Sequence, residues 1–293
     1  MTSLLSLRHA RPHRRTAALT LAAALTLAPV PALQAAPAWA APSTSPSSSA
    51  PAFSPSAVTL PGTVITPGRE IGLAGTENTR LLAGYRGADG KVVNNLLLRS
   101  DAVSDLTASD IRALQHRKLG LIVDLRTGLE RGLQPDSKVP GAAWLSADYL
   151  GALPPTALID LNQAYGAFVT DPHAREATGK ALLAIKDTTA QGRSALFHCS
   201  AGKDRTGWTA AVLLTILGVD RATVDADYLA SNHYRGTTAG DPLNGVSIEL
   251  LNTSFNAVTK SYGSFENYLH KGLKLTDADL DALRAQLLTD DVR

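Results

Sequence analysis

Cysteine is nearly absent: the chain of 293 residues holds one, Cys199. A single thiol excludes any disulfide within the chain, so stability must come from an ordinary hydrophobic core. Excess charge is lacking too. There are 28 basic and 26 acidic residues, but Arg8, Arg11, Arg14 and Arg15 lie in the first forty, which hold no acidic residue. The remainder carries 24 basic against 26 acidic residues, so neither nucleic acid nor an anionic membrane is expected as a principal partner. A long apolar run is also missing. Thr16 to Val30 falls short of the roughly 20 residues that span a bilayer, and Pro29 and Pro31 interrupt it. There is no internal repeat.

The amino terminus instead has the order of a secretory signal. A basic stretch to Arg15 precedes the apolar run, and Ala38-Trp39-Ala40 supplies the small residues, with cleavage expected after Ala40. Arg14-Arg15 leaves both the general (Sec) and the twin-arginine (Tat) export routes open. The reading is a signal peptide over 1–40 and an Ala/Pro/Ser-rich flexible linker over 41–57, with one folded domain over 58–293. The mature protein is expected to be secreted, without stable membrane insertion. An exported, unpaired thiol is open to oxidation, so Cys199 is either a small buried hydrophobe or a group the protein uses. Its neighbours decide between them.

Strand and helix patterns alternate along that domain. Asn95 to Arg99, Leu121 to Leu125 and Ala195 to His198 read as short buried strands. Thr107-Ala108-Ser109-Asp110 is a capping box, with Asp for Glu, opening a helix with Ile111, Leu114 and Leu119 inward and Gly120 at its end. Further helices are expected over Pro172–Lys186, Gly207–Leu217, Ala222–Tyr234, Val246–Val258 and Leu280–Leu288, the last opened by Thr276 to Asp279. The alternation predicts an α/β fold, a central mostly parallel sheet flanked by helices with additional C-terminal helices.

His198-Cys199-Ser200-Ala201-Gly202-Lys203-Asp204-Arg205-Thr206-Gly207 joins a strand to an apolar helix. A loop that turns sharply there directs its backbone N–H groups inward and closes on a helix amino terminus, which suits a tetrahedral oxyanion. Gly202 permits unusual dihedrals, and Arg205 can fork two donors onto phosphate oxygens. Cys199 sits under the same donors, which favour an anionic nucleophile, and Thr206 is placed to donate to its sulfur. Cys and Arg five apart is a weak signal alone; the strand, glycine, Thr206-Gly207 and following helix make it strong.

The segment His198 to Gly207 resembles the signature of the protein tyrosine phosphatase superfamily. Its Gly-Lys-Asp-Arg-Thr-Gly is most similar to the bacterial tyrosine/serine phosphatases of the exported mycobacterial PtpB type. Leu98 to Asp101, Val123 to Arg126 with Glu130, Asp227 to Asn232 and Ser264 to Leu269 extend the likeness to about residues 60–290. Thr79 to Tyr85 departs from the family pattern. The resemblance implies a tyrosine-phosphatase-like fold and a phosphatase domain over 58–293. It also implies hydrolysis of phosphotyrosine, with phosphoserine, phosphothreonine and phosphoinositides as further classes, so the expected partner is a phosphorylated protein or phosphoinositide. Cys199 is the expected nucleophile and Arg205 the charge stabiliser. Ser200, Ala201, Gly202, Lys203, Thr206 and Gly207 are expected to line the phosphate, Lys203 adding a positive group at the rim.

Three carboxylates compete as proton donor to the leaving oxygen. Asp204 is the general acid the resemblance implies. Asp124 stands at a strand's carboxyl end, where α/β folds place functional groups, or pairs with a nearby arginine. Asp171 lies where many tyrosine phosphatases keep the acid, or caps the helix at Pro172. Arg126 and Glu130 are expected to pair with each other or shape the rim, and His198 to hold loop backbone. No cofactor and no metal are expected, since no His, Asp and Glu cluster has ligand spacing along the sequence. The alternatives are a phosphate-binding module without turnover and an arsenate reductase or sulfur transferase; such reductases need further cysteines, which this chain lacks.

Overall fold

The computed structural model describes residues 69–151, 160–241 and 243–290. The expected signal and linker, residues 1–57, lie outside them. Strands β1 (Arg69–Glu70), β2 (Arg80–Leu81), β4 (Leu97–Ser100), β5 (Leu119–Asp124), β6 (Ala143–Ser146) and β7 (Ser194–His198) form one sheet in the order β1-β2-β4-β7-β5-β6. Strands β4, β7, β5 and β6 run parallel, while β1 and β2 add an antiparallel edge. A separate pair joins β3 (Val92–Val93) to β8 (Leu288–Thr289). The architecture is the expected one, a mostly parallel sheet with flanking and C-terminal helices.

Side-chain alternation divides the core in two. Leu97, Val123 and Phe197 enter the larger cluster, which buries apolar residues of α4 (Pro172–Thr189), α5 (Arg205–Ile216), α6 (Arg221–Tyr234), α7 (Ile248–Tyr262) and α9 (Asp277–Leu287). Their neighbours Leu98, Ile122 and Leu196 enter a smaller cluster with Leu114 of α1 (Ala108–His116). Strands buried on both faces explain the continuous apolar runs in the sequence.

The Thr107/Asp110 and Thr276/Asp279 capping boxes open α1 and α9 as expected. The end of α1 differs from expectation. The helix stops at His116, Lys118 takes a left-handed turn at φ 54°, and Leu119 and Gly120 belong to β5. Gly120 is required where it stands, because a Cβ there would lie 2.8 Å from the Thr188 side chain and 2.9 Å from that of Arg193. The sequence reading also passed over α2 (Gly128–Leu133), α3 (Leu161–Thr170), the single turn α8 (Phe265–Asn267) and the short strands β1, β2, β3, β6 and β8. Among the described residues, no helix is long and apolar enough to cross a membrane.

The parallel strands end level with one another: Ser100 pairs with His198, and His198 with Asp124. Loops leaving these carboxyl ends converge, as in other open α/β sheets. They are backed by buried charge. Asp227 of α6, 1% exposed, lies between the fully buried Arg80 of β2 and Arg99 of β4. Arg80 Nε lies 3.3 Å from Asp227 Oδ1, Arg99 Nη1 contacts Asp227 Oδ2, and the Tyr85 hydroxyl donates to Oδ1 at 2.9 Å. Burial pushes the Asp227 carboxyl up, but Arg99 and Arg80 overcome it and hold it below the usual range.

Removing one member of a buried ion cluster leaves the others uncompensated. Asp227→Asn is therefore expected to lower unfolding stability by about 3–5 kcal/mol, read from the midpoint of urea unfolding.

Candidate active site

The loop after β7 is shaped by donors outside it. The carbonyl of Cys199 accepts from His198 Nδ1 (3.2 Å) and that of Ser200 from the Ala102 amide (3.2 Å). The carbonyl of Ala201 accepts from Asn78 Nδ2 (3.1 Å) and Arg235 Nη1 (3.2 Å), and that of Gly202 from Arg99 Nη2 (2.9 Å). Four consecutive carbonyls thus face outward, and because each peptide is planar and trans, the N–H groups of residues 200 to 203 turn to the opposite side, into the loop. Gly202 sits at φ +67°, and a Cβ there would lie 2.6 Å from the Asp101 amide nitrogen, so no other residue fits unchanged. Gly207 is needed as well, with a Tyr228 ring carbon 2.9 Å from where its Cβ would be. Helix α5 begins at Arg205, completing a ring of donors over the buried Cys199.

Arg205 is held in a fork–fork pair, Nη1 and Nη2 donating to Glu130 Oε2 and Oε1 at 2.8 and 2.7 Å. Glu130 is positioned by its own helix, since Thr127 and Glu130 form the capping box of α2. It also accepts from Ser200 Oγ at 2.5 Å. Burial would raise the Glu130 carboxyl, but the bonds and charge of Arg205 and the Ser200 hydroxyl hold it well below the usual carboxylate range. Glu130 therefore pairs with the loop arginine and the Ser200 hydroxyl, which corrects the first of its two expected roles, a pair with Arg126, and leaves the second, shaping the rim. A carboxylate three residues after Thr127 in a capping pattern was the signal available; its reach to Arg205 depends on the tertiary fold.

Lys203 corrects another expectation. It is 4% exposed, and its Nζ donates to the Gly245 carbonyl at 3.0 Å and lies 3.2 Å from Asp204 Oδ2. It contributes no free charge to the rim, because the Gly245 carbonyl and Asp204 engage it. Thr206 Oγ1 donates to the Ser100 carbonyl at 3.4 Å, so its one proton is directed at β4 and not at the sulfur.

The three candidate acids separate clearly. Asp124 is fully buried and paired with Arg126, which reaches its two oxygens at 2.9 and 2.8 Å. Asp171 caps α4 through the Ala174 amide at 3.0 Å. Asp204 occupies the N-cap position of α5 but makes no cap bond there; its carboxylate instead accepts from the Tyr165 hydroxyl at 2.8 Å. Burial and the adjacent Asp204 raise Tyr165 well above the usual phenol range, so Tyr165 remains a donor.

Two His/carboxylate groups unseen in the sequence come together among the described residues. Asp124, Asp136 and His198 form one, but Arg126 Nη2 lies 2.8 Å from Asp124 Oδ2 and 2.6 Å from Asp136 Oδ1 and already supplies the positive charge. Glu266, His270 and Asp277 form the other, where the Leu275 carbonyl and Glu266 raise the His270 pKa and favour an imidazolium between the carboxylates.

The Glu130 pairing has a pH signature. A carboxylate whose folded-state pKa is depressed stabilises fully above its unfolded value, roughly 4.3, and loses that contribution as pH falls through the folded value. Glu130→Gln is thus expected to destabilise most above about pH 5 and progressively less below about pH 4. Urea unfolding of both proteins between pH 3.5 and 7 measures the difference.

The chain matches the tyrosine phosphatase family over residues 71–289. It is 31% identical over 228 residues to a Cupriavidus necator protein whose name places it among the tyrosine-protein phosphatases, covering 69% of this chain and 84% of that one. It is 28% identical over 159 residues to the triple specificity protein phosphatase PtpB of Mycobacterium tuberculosis, covering 44% and 57%. Among solved structures, P. aeruginosa TpbA aligns over 65% of this chain and 84% of its own, at 16% identity and a TM-score of 0.29. The family match runs through the sheet, the loop and the C-terminal helices alike, so this chain belongs to the tyrosine phosphatase family and is a phosphoric monoester hydrolase of that type.

Proposed function

We propose that the protein is an exported, cysteine-dependent phosphatase acting on phosphotyrosine in proteins through a cysteinyl-phosphate intermediate. The observation that carries this reading is the outward set of four loop carbonyls around Cys199, which turns the opposing N–H groups onto the place a phosphoryl group would take. Arg205 adds a guanidinium already oriented by Glu130, so little reorganisation is needed as charge develops on the equatorial oxygens.

In the first step the Cys199 sulfur attacks phosphorus, the bond to the leaving oxygen breaks, and Asp204 gives that oxygen a proton. In the second, Asp204 takes a proton from water as the water attacks phosphorus, and inorganic phosphate leaves the regenerated thiolate. Asp204 suits this role better than Asp124, which is fully buried against Arg126, or Asp171, which caps α4, because it stands in the loop itself between Lys203 and the Tyr165 hydroxyl. Activity on phosphoserine, phosphothreonine and phosphoinositides is supported by the likeness to the PtpB type, and by the triple specificity in the name of the M. tuberculosis relative. Export is supported by the order of basic, apolar and small residues over 1–40.

Two measurements test this. The mature domain is expected to hydrolyse an aryl phosphate, Cys199→Ser to lose all turnover, and Asp204→Asn to lose about 10²-fold in kcat with disappearance of the high-pH limb. Turnover by Cys199→Ser sinks the covalent mechanism, and an unaltered profile in Asp204→Asn sinks the acid assignment. Amino-terminal sequencing of protein recovered from culture medium is expected to begin at Ala41; retention of the full-length chain inside the cell counts against export.

A further inference from the structure

A cavity of about 690 Å³ opens beside Lys203 and Asp204, adjoining the phosphate loop. That is within the range of roughly 300–1,000 Å³ that holds small ligands. It is larger than one phosphoryl group needs, and its walls are of two kinds. Leu161, Leu243 and Leu250 are apolar, and Leu243 is 59% exposed there. Asp160, Asp204 and Asp241 are acidic. Among the described residues, the one cation in the lining is Lys203, which Asp204 and the Gly245 carbonyl already engage. Arg235, beside the loop, donates to the carbonyls of Ala201 and Asn244.

Asp241 stays charged under ordinary conditions. Asp241 is pulled down to about 2 by the backbone and side-chain N–H groups of Asn244 and the Leu243 amide. Asp160 accepts the Asn162 and Gln163 amides through Oδ1 and is exposed. A ligand matching these walls has an aliphatic stem and a cationic head, the make-up of a lysine or arginine side chain. A polyphosphorylated headgroup would instead bring negative charge against three carboxylates.

We infer that this cavity is a specificity subsite which receives a lysine or arginine flanking the phosphorylated residue of a protein substrate. The inference rests on the protein-phosphatase reading above and narrows it, since it directs the loop toward basic phosphopeptides and sets it against the phosphoinositide class that the PtpB likeness supports.

The test uses Cys199→Ser protein and fluorescent phosphotyrosine peptides of one sequence, with Lys or Glu scanned across the three positions on either side. Anisotropy is expected to show about fivefold to tenfold tighter binding of the best Lys peptide than of its Glu counterpart at low salt, with the ratio shrinking at 0.5 M salt. Adding Asp160→Asn and Asp241→Asn, which keep one acceptor oxygen for the local backbone amides, is expected to bring the ratio below about threefold. Equal affinity of Lys and Glu peptides at every position overturns the proposal. So does tighter binding of a soluble bisphosphorylated inositol headgroup than of the best Lys peptide. The ratio and its salt dependence in the otherwise unaltered cavity decide the matter even if the double substitution impairs folding. Aryl phosphate turnover by wild-type protein separates the two readings. Turnover without Lys preference removes the subsite alone; Lys preference without turnover removes the catalytic reading and leaves the subsite.

Discussion

The placement of the loop after Cys199 depends on one buried carboxylate. Asp227 holds Arg99 of β4 and Arg80 of β2 against α6, and Arg99 in turn donates to the Gly202 carbonyl. Two guanidinium groups against one carboxylate leave positive charge in a low-dielectric layer behind the loop. Such a cluster is costly to desolvate and is a weak source of net stability. Its effect here is positional and electrostatic: it fixes the loop's backbone direction and favours an anion on the other side. Burial and the neighbouring Arg99 lower Arg80 to about 10, while Asp227 counters them, which leaves Arg80 charged at neutral pH.

A second ion pair works from the opposite wall. Glu130 fixes the Arg205 guanidinium in its plane and also receives the Ser200 hydroxyl, so the two sides of the loop share one carboxylate. A fork held in this way keeps other N–H donors for a phosphate oxygen without first having to order a long side chain. Between these supports, the loop's specificity is shaped by what is neutralised. Lys203 is buried against Asp204 and Gly245, so the surface beside the loop is acidic and apolar even though the loop itself is built for an anion.

How much of this was legible in the chain can be judged residue by residue. The strand–loop–helix around Cys199, the positive φ of Gly202 and the caps at Thr107 and Thr276 are local and followed from spacing. The end of α1 did not. Leu119 fits the helical stripe, but strand pairing with Ser194 outcompetes one more helical turn. The partner of Glu130 was misjudged for a related reason. Arg126 is close in sequence, whereas Arg205 lies 75 residues away and meets Glu130 only once β5 and β7 are paired. Lys203 could be read as a rim cation because nothing in the loop announces that residues near Gly245 return to cover it.

The sequence by itself determined the strand–loop–helix around Cys199, the glycine turn within it and the layered α/β architecture. These depend on residues within one or two turns of each other and on the period of apolar side chains. Only the tertiary structure decided the rest: which carboxylate holds Arg205, which aspartate stays unpaired by a cap or an arginine, and the charge of the surface beside the loop. Each of these sets groups from distant segments against one another, and interaction between charges depends on their separation and burial in space, which sequence distance does not encode.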